Sequence, residues 1–188
     1  MSYSALFLDR DGVINERLPG RYVSVWEEFR WCPGNPQAIA ELNALFDFTF
    51  VVTNQQGVGK GLMTEAQLQS VHERMLSQIQ AAGGSIDRIY TCTQLKSEPG
   101  NCRKPSTAMG QQAQQDFPDI HFGRSVMVGD SLSDLEFGQR LGMELAWVAG
   151  KADDQEAIEQ AIAAGLQVDY QIEKLSELPG LLRKQQTT

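Results

Sequence analysis

Ala5-Leu6-Phe7-Leu8-Asp9-Arg10-Asp11-Gly12-Val13 is the stretch from which the fold of this chain can be read. Four consecutive apolar residues followed at once by two carboxylates at i and i+2 predict a short buried strand with polar chemistry at its C-terminal end. Gly12 permits an unusual backbone path, so both acids can face one cavity. Divided labour is then possible, with one carboxylate as a nucleophile and the other as acid and base. The same letters alone suit a solvated turn whose acids cap backbone amides equally well. A calcium loop uses similar letters too, but its downstream acidic spacing is absent.

Outward from this segment the chain alternates β-rich runs with helical stretches, as an α/β layered domain does. Phe48 to Val52 predicts a second strand stopping at Thr53-Asn54, and Ile86 to Cys92 a third. Val126 to Val128 predicts a strand ending at Gly129-Asp130, and Leu145 to Val148 another. Asn35-Pro36 opens a helix with Asn35 as N-cap, running to about Phe46. Thr64 and Gln67 form a capping-box pattern, followed by Leu68, Val71, Met75 and Ile79 at helical spacing up to Gly83-Gly84. Further helices are expected over Thr107 to Phe117, Ser133 to Leu141 and Asp153 to Ala164. No linker divides the chain, so one domain is expected over residues 1–182, with a polar tail, 183–188, that frays.

The chain has 188 residues, 41% of them hydrophobic and 21% charged, as in ordinary globular proteins. No apolar run is long enough to cross a bilayer. The N-terminus lacks a basic region and a small-residue cleavage site, which predicts a cytoplasmic protein. A net charge of −8 disfavours nucleic acid and anionic membranes as partners and leaves a small molecule. The three cysteines, Cys32, Cys92 and Cys102, read as reduced thiols or metal ligands sooner than as a disulfide framework.

Ligands of open parallel sheets bind beyond the strands' C-terminal ends, which groups Asp9, Thr53 and Asp130 on one edge. Thr53-Asn54-Gln55 offers a hydroxyl and free backbone amides as a phosphate cradle. Gly57-Val58-Gly59-Lys60-Gly61 is not a nucleotide P-loop: Asn54 stands where the first glycine belongs, and Gly61 replaces the Ser/Thr. Arg103-Lys104 places two cations before a helix, and by itself this pair also suits a plain surface. Asp130 adds a third acid, with Asp134 one helical turn beyond. Asp9 and Asp130 supply the few carboxylate oxygens that magnesium wants.

Asp9-Arg10-Asp11-Gly12-Val13-Ile14-Asn15, Thr53-Asn54-Gln55, Cys102-Arg103-Lys104-Pro105 and Gly129-Asp130 together resemble the four motifs of the haloacid dehalogenase superfamily of phosphatases. Within it the chain is most similar to the branch holding the D-glycero-D-manno-heptose 1,7-bisphosphate 7-phosphatases and histidinol-phosphatases. The resemblance implies a Rossmann-like three-layer sandwich with a mainly parallel sheet and, given the short spacing between motifs, no large cap domain. It implies a phosphomonoester hydrolase acting on a sugar phosphate or bisphosphate. The alternatives are a histidinol-phosphate phosphatase and, without catalysis, a sugar-phosphate-binding protein.

The implied catalytic residues are Asp9 as nucleophile, Asp11 as acid and base, and Thr53 and Lys104 on the phosphoryl group. Arg103, Asn54, Gln55 and Gln56 would meet the rest of the substrate. Magnesium would be held by Asp9, the Asp11 carbonyl and Asp130. Many relatives carry zinc on a Cys-x-His and a Cys-x-Cys pair. Here these read Cys92-Thr93-Gln94 and Gly100-Asn101-Cys102, so no structural zinc is expected and the loop should hold by its own packing. Ser131 stands where heptose enzymes often carry lysine. His72 and His121 are expected to be structural; the aromatic segment Glu16 to Trp31 is expected to wall one side of the pocket, with Phe29 and Trp31 instead packing in the core.

Overall fold

The computed structural model describes residues 3–150 and 154–185. Among these residues six strands form one all-parallel sheet: β1 (Tyr3–Leu8), β2 (Phe46–Asn54), β3 (Arg88–Cys92), β4 (Val126–Gly129), β5 (Glu144–Val148) and β6 (Tyr170–Ile172), in the order β3-β2-β1-β4-β5-β6. The helices are α1 (Asn35–Asn43), α2 (Gln56–Gly59), α3 (Glu65–Ala81), α4 (Ala108–Asp116), α5 (Leu132–Leu141), α6 (Gln155–Ala163) and α7 (Leu178–Gln185).

β1 is buried along its whole length because both its faces are covered. Leu6 and Leu8 point to one side, where α1, α3 and α7 contribute Ile39, Leu42, Val71, Met75, Ile79 and Leu182. Ala5 and Phe7 point to the other, against Met109, Ala113, Leu135, Phe137 and Ile158 of α4, α5 and α6. This period of two places helices on both sides of the sheet and makes the three-layer sandwich. Strand order reverses between β1 and β4, the place where such sheets open a ligand crevice. Asp9 and Asp130 follow those two strands. Among the described residues no helix is long and apolar enough to cross a membrane.

Several boundaries differ from those expected. Gly34, at φ 79°, is the N-cap of α1, and Asn35 is its first residue. The Asn35 amide points inward and donates to the Val13 and Ile14 carbonyls, so it holds the loop after β1 instead of capping its own helix. α1 ends at Asn43, and Phe46 already belongs to β2. β6, three residues long, is too short to leave a periodic signal. α7 extends into the segment expected to fray: Leu178 and Leu182 are buried, and Gln185 accepts from the Tyr3 hydroxyl at 3.2 Å. Residues 186–188 and the expected helix start at Asp153 lie outside the described residues. The Thr64–Gln67 capping box is present, with Gln67 N–H to Thr64 Oγ1 at 3.1 Å and Thr64 N–H to Gln67 Oε1 at 2.8 Å.

The cysteine reading needs correction. Cys92, the last residue of β3, is disulfide-bonded to Cys102, while Cys32 is buried and takes no part in the disulfide. The loop between them turns back on itself, bringing their Cα atoms to 5.6 Å. That chain reversal is a tertiary property, so the spacing could not disclose it. The loop is cross-linked as well as packed.

Candidate active site

The loop after β1 is held by its own backbone. Ile14 and Asn15 donate to the Arg10 carbonyl at 2.9 and 3.0 Å, and Gly12 donates to the Asn15 carbonyl at 2.7 Å. Gly12 sits at φ 105°, and a Cβ there would lie 2.0 Å from Asp130 Oδ2. Glycine therefore lets the two strand ends approach. Asp9 N–H donates to Val128 O at 3.0 Å, which carries the β1–β4 pairing into the site.

Lys104 is the hub. The residue is 4% exposed, and its ammonium reaches Asp9 Oδ1 at 2.7 Å, Asp134 Oδ1 at 2.6 Å and the Val52 carbonyl at 2.7 Å. Three acceptors satisfy its three donors. Asn54 clamps the Lys104 backbone from both sides, accepting from its N–H at 3.0 Å and donating to its carbonyl at 3.3 Å. The Lys104–Pro105 peptide is cis. Asp134 also accepts from Ser131 N–H at 3.1 Å and Ser131 Oγ at 2.7 Å, the capping contacts of α5. Sequence reasoning placed Asp134 a turn beyond Asp130 but gave it no role. The Ser131-x-x-Asp134 capping spacing was its available signal.

Asp11 is locked by its neighbours. Its Oδ1 accepts from Arg10 Nη2 at 3.0 Å and Asn15 Nδ2 at 2.9 Å, and its Oδ2 from Arg10 Nη2 at 2.9 Å and Gln55 Nε2 at 2.8 Å. Burial works to raise its pKa, but the Arg10 charge and these hydrogen bonds outweigh burial and hold the carboxyl below its ordinary range. Gln55 Nε2 also donates to Thr53 Oγ1 at 2.8 Å, so one amide ties two expected catalytic groups together.

Asp9 and Asp130 are shifted the other way. Burial, with the nearby Asp134 and Asp11 charges, lifts Asp9 to about 7 despite Lys104. Burial, with Asp134 and Asp9, lifts Asp130 to about 8. Asp130 is 1% exposed, and neither carboxylate oxygen has a hydrogen-bond partner among the described residues. Its nearest cation is Arg17, with Nη1 at 3.7 Å from Oδ2. An orphaned buried carboxylate is costly unless a charge completes it. Carboxylate oxygens of Asp9, Asp130 and Asp134 lie within 4.8 Å of one another. With Asp134 engaged by Ser131 and Lys104, Asp9 and Asp130 are the pair left to hold a hard cation. The residues fit magnesium.

A cavity of about 510 Å³ opens onto Asp9, Asp11, Lys104 and Asp134. Its rim carries Arg17, Arg21, Lys60 and Arg103, a local cationic ring on an acidic chain. Tyr22 lines it, with Lys60 Nζ 5.6 Å from the ring centroid, while Phe29 packs in the core as expected. Of the expected substrate contacts, Asn54 and Arg103 line the cavity. Gln55 is fully buried behind it, and Gln56 turns to accept from Lys96 N–H at 2.8 Å. Arg17, Lys60 and Arg21 were not singled out, because loop cations carry no periodic signal. A larger hollow of about 1250 Å³ shares Arg17 with the cavity but is lined by none of Asp9, Asp11, Thr53, Lys104 and Asp130.

Residues 101–178 match the sequence profile of the family described as HAD-hydrolase-like. The chain is 41% identical over 136 residues to the D-glycero-alpha-D-manno-heptose-1,7-bisphosphate 7-phosphatase of Mycobacterium bovis, covering 72% of each chain. It is 32% identical over 194 residues to the D-glycero-beta-D-manno-heptose-1,7-bisphosphate 7-phosphatase of Escherichia coli K12, covering 98% of this chain and 96% of that one. The crystal structure of the D,D-heptose 1,7-bisphosphate phosphatase from B. bronchiseptica, complexed with magnesium and phosphate, superposes with a TM-score of 0.85. It is 29% identical, over 97% of this chain and 99% of that one.

Proposed function

Because the chain belongs to the haloacid dehalogenase-like phosphatases, in the branch of the heptose-bisphosphate 7-phosphatases, we propose that it removes the 7-phosphate of D-glycero-D-manno-heptose 1,7-bisphosphate. The observation that carries this reading is the buried Asp130 carboxylate. It lacks any hydrogen-bond donor among the described residues and lies beside Asp9, which lines a cavity that also carries Arg17, Arg21, Lys60 and Arg103. A site with a carboxylate pair awaiting a cation and a cationic rim suits a substrate with one phosphate to lose and a second to be gripped.

Asp9 attacks phosphorus, and the bond from phosphorus to the ester oxygen breaks. Asp11 gives that oxygen a proton, leaving an aspartyl-phosphate on Asp9 and a free sugar hydroxyl. Water then attacks the phosphorus and passes its proton to Asp11. The acyl-phosphate P–O bond breaks, releasing inorganic phosphate and restoring Asp9. The Arg10 fork keeps Asp11 ionised before substrate arrives, and the incoming phosphate's negative charge favours proton uptake. Lys104 fixes the Asp9 oxygen at 2.7 Å and places its charge where the phosphoryl oxygens gather. Thr53 offers its hydroxyl to the same group. Asp9 and Asp130, with the Asp11 carbonyl, would hold magnesium, which would supply charge neutralisation at the phosphoryl oxygens. Asn54 and Arg103 meet the remainder of the substrate.

The test is phosphate release with magnesium from both anomers of the heptose bisphosphate and from histidinol phosphate, with NMR identification of the product. Heptose 1-phosphate as the product of the fastest reaction is expected. Faster turnover of histidinol phosphate would overturn the substrate assignment.

A further inference from the structure

The Arg10 guanidinium is completely buried behind Asp11. Nη2 meets both Asp11 oxygens, and Nη1 lies 3.1 Å from His72 Nε2. Its Nε has no partner among the described residues, so these two side chains are what hold it. A guanidinium has donors and no acceptor. His72 Nε2 must therefore accept, which leaves the ring proton on Nδ1 and the imidazole uncharged. The site favours this state: burial, then the Arg10 charge, push the His72 pKa down to about 3. His72 sits on the buried face of α3 with Leu68, Val71 and Met75, and it is 5% exposed.

We infer that His72 is a positioning residue for Asp11, acting through the Arg10 guanidinium, which rests on the acid–base role proposed for Asp11. The imidazole gives Nη1 an acceptor and so sets the plane of the guanidinium. That plane lets Nη2 meet the Asp11 carboxylate. Without the acceptor, Nη1 becomes a buried orphan donor, and the guanidinium turns toward whatever else can accept from it. Asp11 would then lose its fixed orientation while the cavity wall and its rim stay intact. An imidazole that merely filled space would leave the chemical step unaffected.

Two measurements test the inference. In ¹⁵N NMR of the wild-type protein, assigned with His121→Gln, His72 should keep Nε2 unprotonated and Nδ1 protonated between about pH 5 and 8. In phosphate-release kinetics, His72→Leu should lower kcat about tenfold with KM changed less than about twofold. His72→Gln, whose Oε1 can accept from Nη1, should recover most of the loss. Ordinary titration of His72, a protonated Nε2, or failure of His72→Gln to outperform His72→Leu would overturn the inference. If the leucine variant does not fold, the wild-type tautomer and the glutamine variant still decide. Unimpaired activity of Asp11→Asn would instead overturn the acid–base reading and leave the tautomer result standing.

Discussion

Lys104 Nζ stands 2.7 Å from Asp9 Oδ1, with 95 residues of sequence between them. The same ammonium reaches Asp134 Oδ1 at 2.6 Å, and all three groups are almost completely shielded from water. The charge of Asp9, proposed above as the nucleophile, thus depends on one distant lysine.

Removing that lysine should be costly twice over. Lys104→Met leaves Asp9 and Asp134 facing each other without compensation. Breaking a buried pair in this way costs about 3–5 kcal/mol. We expect a stability loss of that order in urea unfolding, and a fall in kcat of about a hundredfold or more in phosphate-release assays.

Asp9→Asn should keep the fold, because the substitution is nearly isosteric and the Asp9 N–H bond to Val128 O is retained. Turnover should fall by roughly a thousandfold or more, with no phosphoenzyme trapped on acid quench. Appreciable residual magnesium-dependent turnover would remove Asp9 from the role of nucleophile.

Gly12→Ala tests the approach of the two strand ends. A methyl group would meet Asp130 Oδ2 at 2.0 Å on a backbone at φ 105° that disfavours side chains. Asp130 must then move. Magnesium affinity measured by calorimetry should weaken about tenfold or more, while far-UV circular dichroism remains unchanged.

The raised carboxyls predict how magnesium protection depends on pH. In the cation-free protein Asp9 titrates at about 7 and Asp130 at about 8, above their unfolded value of 3.8. A raised folded pKa contributes stability that is complete below the unfolded value and lost as pH rises through the folded one. The cation-free protein should therefore weaken toward pH 8, where a divalent cation also no longer competes with protons. The rise in Tm given by magnesium over EDTA should be larger at about pH 8 than at about pH 6. An equal rise at both would contradict the assigned shifts.

Strand ends were legible because their signals are local. Leu8-Asp9, Val52-Thr53 and Gly129-Asp130 each pair an apolar run with a polar stop, and the parallel order then gathers them on one edge. The Thr64–Gln67 cap was legible for the same reason, since its partners lie three residues apart. Lys104 was legible through the motif it completes.

What tertiary structure alone decided are the pairings across the sheet. Gln55 looked like a residue on the approach to the site, yet it faces inward to bridge Asp11 and Thr53. Asn35 looked like a cap, yet it holds the β1 loop. Cys92 and Cys102 looked like separate thiols, and His72 gave no hint of Arg10. Periodicity and turn chemistry report the burial and direction of a residue along its own element. Which distant atom it meets depends on strand order and loop path, set by packing of the whole core, and no short window of sequence contains that information.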